Sequence, residues 1–135
     1  MGEGYKKFYE MDLWVEAQEL QKEVFEITKQ FPRHEDFGLT SQCNRATASV
    51  LANTAESHGR FHFADKIRVL YIARGEIEEV QSHLIVAGSR AYLTKETSKN
   101  LIHRYEEVKK KLNRYISTLY NQMKTKDFGS DKKTG

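Results

Sequence analysis

The sequence predicts an all-α fold, an antiparallel up-down-up-down four-helix bundle. Three observations carry this reading. Four stretches repeat apolar residues at spacings of three and four, the period of one buried helical face. The links between them are a few residues long, which sets consecutive helices antiparallel. The 135 residues include one proline and eight glycines, so little interrupts a helix, and no alternating strand pattern competes.

Residues 1–10 read as an aromatic lead-in, with Tyr5, Phe8 and Tyr9 available to pack over one end of the bundle. The bundle itself spans 11–124. Asp12 is the expected N-cap of the first helix, its carboxylate facing the free N–H groups of the first turn. Leu13, Ala17, Leu20, Val24, Ile27 and Phe31 form one stripe, and Pro32 ends it. Trp14 and Phe25 form a second, aromatic edge that points to contact with another subunit.

The second helix runs from Leu39 or Thr40 to about Ser57, with Leu39, Cys43, Ala46 and Val50 inward. Ala46, Ala48, Ser49, Ala52 and Ala55 are small enough to let a neighbour approach closely. Gly59 is the expected left-handed residue closing this helix. The third helix starts around Phe63 to Asp65 and buries Phe63, Ile67, Leu70, Ala73, Ile77, Val80, Leu84 and Ala87. Gly75, mid-helix, costs about 1 kcal/mol relative to alanine, which implies a close backbone contact. Thr94 or Thr97 caps the fourth helix, from about Lys95 to Lys124, with Leu101, Tyr105, Val108, Leu112, Ile116, Leu119 and Met123 inward. Residues 125–135 read as a disordered polar tail.

One cysteine, Cys43, excludes an intrachain disulfide and a cysteine-based zinc site. Neither a signal peptide nor an apolar run long enough to span a membrane is visible, so a cytoplasmic protein with no membrane partner is expected. The formal charge of +3 is unevenly spread. Residues 1–94 hold 11 Lys/Arg against 14 Asp/Glu, and residues 95–135 hold 11 against 5. A basic last helix is compatible with an acidic partner such as nucleic acid, although a solvated face and soluble tail account for it more simply.

Ser49, Asn53, Glu56 and Arg60 are spaced 4, 3 and 4 on the second helix. With Arg45, and with Arg68 and Glu79 on the third, they are read as an interhelix or intersubunit polar network. A di-iron centre needs Glu-x-x-His on two helices. That motif is absent, since Glu79 and His83 are four apart. No catalytic residue, metal or cofactor is expected, and the protein is read as no enzyme. Cys43 on an apolar stripe is a buried structural thiol. Tyr71, Tyr92, Tyr105, Tyr115 and Tyr120 are explained better by packing than by base stacking. Lys99, Arg104, Lys109, Lys110, Lys111 and Arg114 are the candidate phosphate contacts.

Several motifs stand in a familiar order: Trp14-(x)2-Ala17, Phe31-Pro32, Phe37 to Gln42, Arg45-Ala46, Ala52-Asn53-(x)-Ala55-Glu56 and Gly59-Arg60. Leu70 to Gly75 and Glu78-Glu79-(x)2-Ser82-His83-Leu84 follow. From about residue 8 to residue 120 the chain resembles the bacterial 23S rRNA intervening-sequence proteins, also called the S23 ribosomal protein family. Accessory proteins of diversity-generating retroelements are similar in architecture. The resemblance implies a bundle assembling as a homopentameric ring, and brings no catalytic residues. The resulting expectation is a non-enzymatic oligomer that binds RNA or DNA, or a nucleic-acid-processing partner, through the fourth helix. The alternative is a protein-interaction scaffold without a nucleic-acid role. No small-molecule substrate is identified.

Overall fold

The computed structural model describes residues 7–134, with side chains through Lys126. Four α-helices follow one another: α1 (Asp12–Thr28), α2 (Leu39–Gly59), α3 (Phe63–Ser89) and α4 (Lys95–Thr134). Single 3-10 turns, Phe8–Glu10 and Arg33–Glu35, precede α1 and α2. Among the described residues, α1 packs on α2 and α4, and α3 packs on the same two, with no diagonal contact. This is the square arrangement of an up-down-up-down bundle.

The periodic stripes become one core. Leu13, Ala17, Leu20 and Val24 of α1 meet Cys43, Ala46 and Val50 of α2, and Leu70, Ala73, Ile77 and Leu84 of α3. Leu101, Tyr105, Val108 and Leu112 of α4 complete it. Each fully buried leucine removes enough apolar surface to contribute about 1.5–3 kcal/mol. Tyr105 is wholly enclosed, and its hydroxyl finds no hydrogen-bond partner among the described residues.

Small residues set the helix spacing where α3 and α4 diverge from their turn. A Cβ on Gly88 would lie 3.1 Å from Ser98 Oγ and 3.3 Å from Ser98 Cβ. Ser98 Oγ in turn donates to the Leu84 carbonyl at 2.9 Å, so α4 begins nearly backbone-to-backbone with α3.

Several local expectations change. Asp12 is the first helical residue and not the cap; Met11 holds the cap position, 1% exposed, with no side-chain cap bond. Burying Met11 under the bundle end wins over capping, and Asp12 still complements the helix dipole. α1 ends at Thr28, and Phe31 is buried from the turn beyond it. Gly59 remains helical, and Arg60 is extended. The exposed carbonyls of α2 are met instead by Lys66, whose ammonium donates to His58 O at 2.8 Å. The left-handed residue is Ala91, φ 62°, after α3. Thr94 caps α4, its Oγ1 accepting from the Thr97 N–H at 3.0 Å.

Gly75 makes no close intrachain approach: nothing lies within 4 Å of a Cβ built there. The expected tail from 125 is backbone helix through Thr134, because no proline blocks propagation once a long helix is nucleated. Of the aromatic lead-in, Tyr5 lies outside the described residues, while Phe8 packs edge-to-face on Trp14 at 5.2 Å. Trp14 donates to the Leu51 carbonyl at 3.1 Å, so it serves the chain's own α1–α2 contact.

Two opposite exchanges test this backbone reading. Gly75→Ala and Ala91→Gly should each raise the unfolding free energy of the isolated chain by about 1 kcal/mol. Urea melts under monomeric conditions measure both.

Candidate nucleic-acid interface and polar clusters

The six basic candidates on α4 face three directions. Arg104 turns to α1 and grips Glu23 with two nitrogens, at 2.8 and 2.5 Å. Lys111 also pairs with α1, through Glu16. Lys109 turns to α3, where it pairs with Glu78, and it meets Glu106 at 3.0 Å. Lys99, Lys110 and Arg114 are exposed; at separations of 11 and 4 they share one outer face about 22 Å long. Lys110 is tied to Glu107 at 3.1 Å. Lys99 and Arg114 form no ion pair among the described residues.

The electrostatic consequences follow the partners. Hydrogen bonding from Arg104 holds the Glu23 carboxyl below its ordinary range. Gln81 and then Lys109 do the same for Glu106. These carboxylates neutralise the cations beside them, so the last helix is less basic on its surface than in its composition.

The expected α2–α3 network divides. Arg45 bridges the helices, pairing with Glu79 and approaching Glu76 at 3.5 Å. His83 Nε2 joins Glu79 at 3.1 Å. Burial and then the Arg45 charge depress the His83 pKa, so its ring is neutral at pH 7. Glu56 and Arg60 pair with each other along α2. The Asn53 amide donates to the Ser49 carbonyl at 2.9 Å, one turn back on its own helix. Arg68 is exposed and joins neither group. Only Arg45 and Glu79 of the expected seven therefore cross between helices, with Glu76 and His83 added. Four-residue spacing placed the remaining polar groups on one helix face but also within reach of one another.

Sequence reasoning missed the tightest polar cluster. Glu35 sits in the turn before α2 and is 7% exposed. Its Oε1 accepts from the Leu39 N–H at 3.1 Å, and Oε2 accepts from Tyr92 OH at 2.7 Å and Arg90 Nη1 at 2.6 Å. His34 approaches the same phenol at 3.3 Å. A Cβ at Gly38 would lie 3.0 Å from Glu35 Oε1, so glycine leaves the carboxylate its room. The left-handed Ala91 aims Arg90 and Tyr92 at this carboxylate. The only sequence signal was an acidic residue four before the helix start.

Burial pushes the Cys43 thiol up to about 12, with the Glu35 charge adding to it, so the thiol is a poor nucleophile. Among the described residues, no three His, Cys, Asp or Glu side chains converge to hold a metal ion. No helix there is long and apolar enough to cross a membrane.

Fold and surface together define a helical-bundle protein with its polar groups spent largely on ion pairs. The chain belongs to the 23S rRNA-intervening sequence protein family, whose model matches residues 9–114. A solved structure described as a protein of unknown function from the S23 ribosomal protein family of Bacteroides thetaiotaomicron VPI-5482 is similar. It is 24% identical with a TM-score of 0.71, covering 77% of this chain and 97% of that one. That likeness concerns the fold. No curated protein matches the chain.

Glu35 supplies a pH test. Hydrogen bonding from Tyr92, then from the Leu39 N–H, outweighs desolvation, and with Arg90 it lowers the Glu35 pKa in the folded chain. The stabilisation is therefore complete above the unfolded carboxyl's pKa of about 4.3 and is lost as pH falls through the folded value. Thermal melts should show Glu35→Gln several degrees less stable than the parent at pH 7. The two should converge as pH drops below about 4.

Proposed function

We propose that the protein is a non-enzymatic homo-oligomer, most simply the pentameric ring, which binds RNA or DNA through the outer face of α4. The observation that carries the binding reading is the pair of unneutralised cations, Lys99 and Arg114, flanking Lys110 on one exposed face. Repetition around a ring multiplies weak phosphate contacts by avidity. No step of chemistry is assigned to it, and a reducing, cytoplasmic setting suits its single buried thiol.

Assembly is supported by the outer surface of α2 and α3. Ala48 and Ala52 are exposed beside Arg45, and on α3 Ile72 is 44% exposed next to Gly75 with open space above it. Apolar and small residues together make a flat surface on which another helix can lie closely. The same surface favours a second reading, a protein-interaction scaffold in which α4 contributes solubility alone.

Two measurements test these proposals. Light scattering should give a pentamer for the parent and a smaller species for Ile72→Asp, whose charge cannot be buried unpaired; an unchanged mass for both removes this interface. Binding of RNA and duplex DNA should weaken steeply with salt, and Lys99→Ala and Arg114→Ala should each lower the log–log salt slope by about 1. Arg104→Ala should leave the slope unchanged and lower the melting temperature. No binding to either at low salt leaves the scaffold reading.

A further inference from the structure

A second group of cations stands apart from Lys99 and Arg114. Arg68 and Arg74 on α3, and Lys124 and Lys126 on α4, form no ion pair with the described residues. All four lie toward the end of the bundle where α3 begins and α4 runs out. Aromatic rings are interleaved with them. The Arg74 guanidinium lies 4.7 Å from the centroid of the Tyr71 ring and donates to Asn113 Oδ1 at 2.9 Å, which fixes its plane. Tyr71 OH meets Tyr120 OH at 3.4 Å across the seam between α3 and α4. Farther along the seam, Lys126 sits 5.8 Å from the Phe61 ring and 5.7 Å from the Phe63 ring.

Three of these rings are open to solvent, while Phe63 is half-buried against the core. Phe61 is 81% exposed, Tyr71 40% and Tyr120 37%. Phe63 and Tyr71 are separated by about 12 Å of helix axis, a span of a few nucleotides in an extended strand. An aromatic face with a cation beside it meets the two needs of an unpaired nucleotide, stacking for the base and a counter-charge for the phosphate. A duplex presents no free base face to such rings, and an acidic peptide needs the charges but not the rings.

We propose that the α3–α4 seam around Tyr71, Arg74, Tyr120, Phe61 and Lys126 is a binding site for single-stranded nucleic acid. The proposal rests on the nucleic-acid reading above but places base recognition on this seam, apart from the phosphate contacts of Lys99 and Arg114. Tyr71 and Tyr120, which the sequence assigned to packing, are exposed enough to act as stacking platforms. Arg74 and Lys126 neutralise phosphates, and Arg68 extends the charge along α3. Sequence preference is weak, since every base has a face to stack.

Fluorescence anisotropy on the full chain tests this with labelled oligouridine, oligothymidine and an RNA duplex, each about 12 nucleotides long. The parent should bind single strands more tightly than the duplex; the ranking of the two single strands distinguishes RNA from DNA. Tyr71→Ala with Tyr120→Ala should weaken single-strand binding by about tenfold or more, without changing the salt slope. Replacing both tyrosines by phenylalanine should restore it, because the ring and not the hydroxyl stacks. Phe61→Ala, at a more exposed position, should also weaken binding, and it remains informative should the double alanine variant unfold. Duplex binding as tight as single-strand binding, or alanine variants that bind as the parent does, overturns the seam site. If only Lys99→Ala and Arg114→Ala weaken binding, the seam reading falls while the outer face of α4 stands. If no probe binds at low salt, both fall.

Discussion

The bundle depends on taking four long apolar stripes out of water while keeping the helices joined by short links. Leu20, Leu70, Ile77, Leu84 and Leu112 are each at most 2% exposed, and the helices that carry them sit at the corners of a square. Their spacing is set by small residues as much as by large ones. Ala46, Ala73 and Ala87 are fully enclosed, and Gly88 admits Ser98 against its backbone. A chain with only large residues on these stripes would fill the centre and push the helices apart.

Ion pairing is the second layer, and it governs what the surface can offer a partner. Glu16 and Glu23 on α1 and Glu78 on α3 reach the flanks of α4 and meet the cations there. Such partly exposed pairs contribute about 0–1 kcal/mol each. Their larger effect is to remove positive potential from the helix that composition marks as basic. What remains includes two groups, on the outer face of α4 and at the end of the seam it forms with α3. Charge counted along the chain and charge presented to a ligand are different quantities here.

The fold was legible because its signal is redundant. Each stripe repeats its period several times, so misplacing one residue leaves the helix standing. The ends were less legible, because they turn on single residues: Met11 displaces Asp12 from the cap, Lys66 substitutes for a left-handed Gly59, and Ala91 takes the conformation expected of a glycine. Among the candidate site residues, sequence placed Lys99, Lys110 and Arg114 on one face but could not see that Arg104, Lys109 and Lys111 turn toward carboxylates on other helices. Those partners lie 95 residues away for Lys111 and 81 for Arg104, beyond any local pattern. Glu35 escaped notice for the same reason, since Arg90 and Tyr92 are 55 and 57 residues from it.

That carboxylate also changes how the chain is connected. The protein is two helical hairpins, α1–α2 and α3–α4, joined covalently only by the short link between Gly59 and Phe63. Glu35 belongs to the turn of the first hairpin, and Arg90 and Tyr92 to the turn of the second, at the opposite end of the bundle from that link. The backbone closes one end of the pair and a shared hydrogen-bond acceptor closes the other. The two hairpins thus form a closed loop of constraints, one link a peptide chain and the other a carboxylate that acid can undo, so splaying them apart at the turn end requires releasing that side chain together with the Phe31 and His34 contacts to Tyr92.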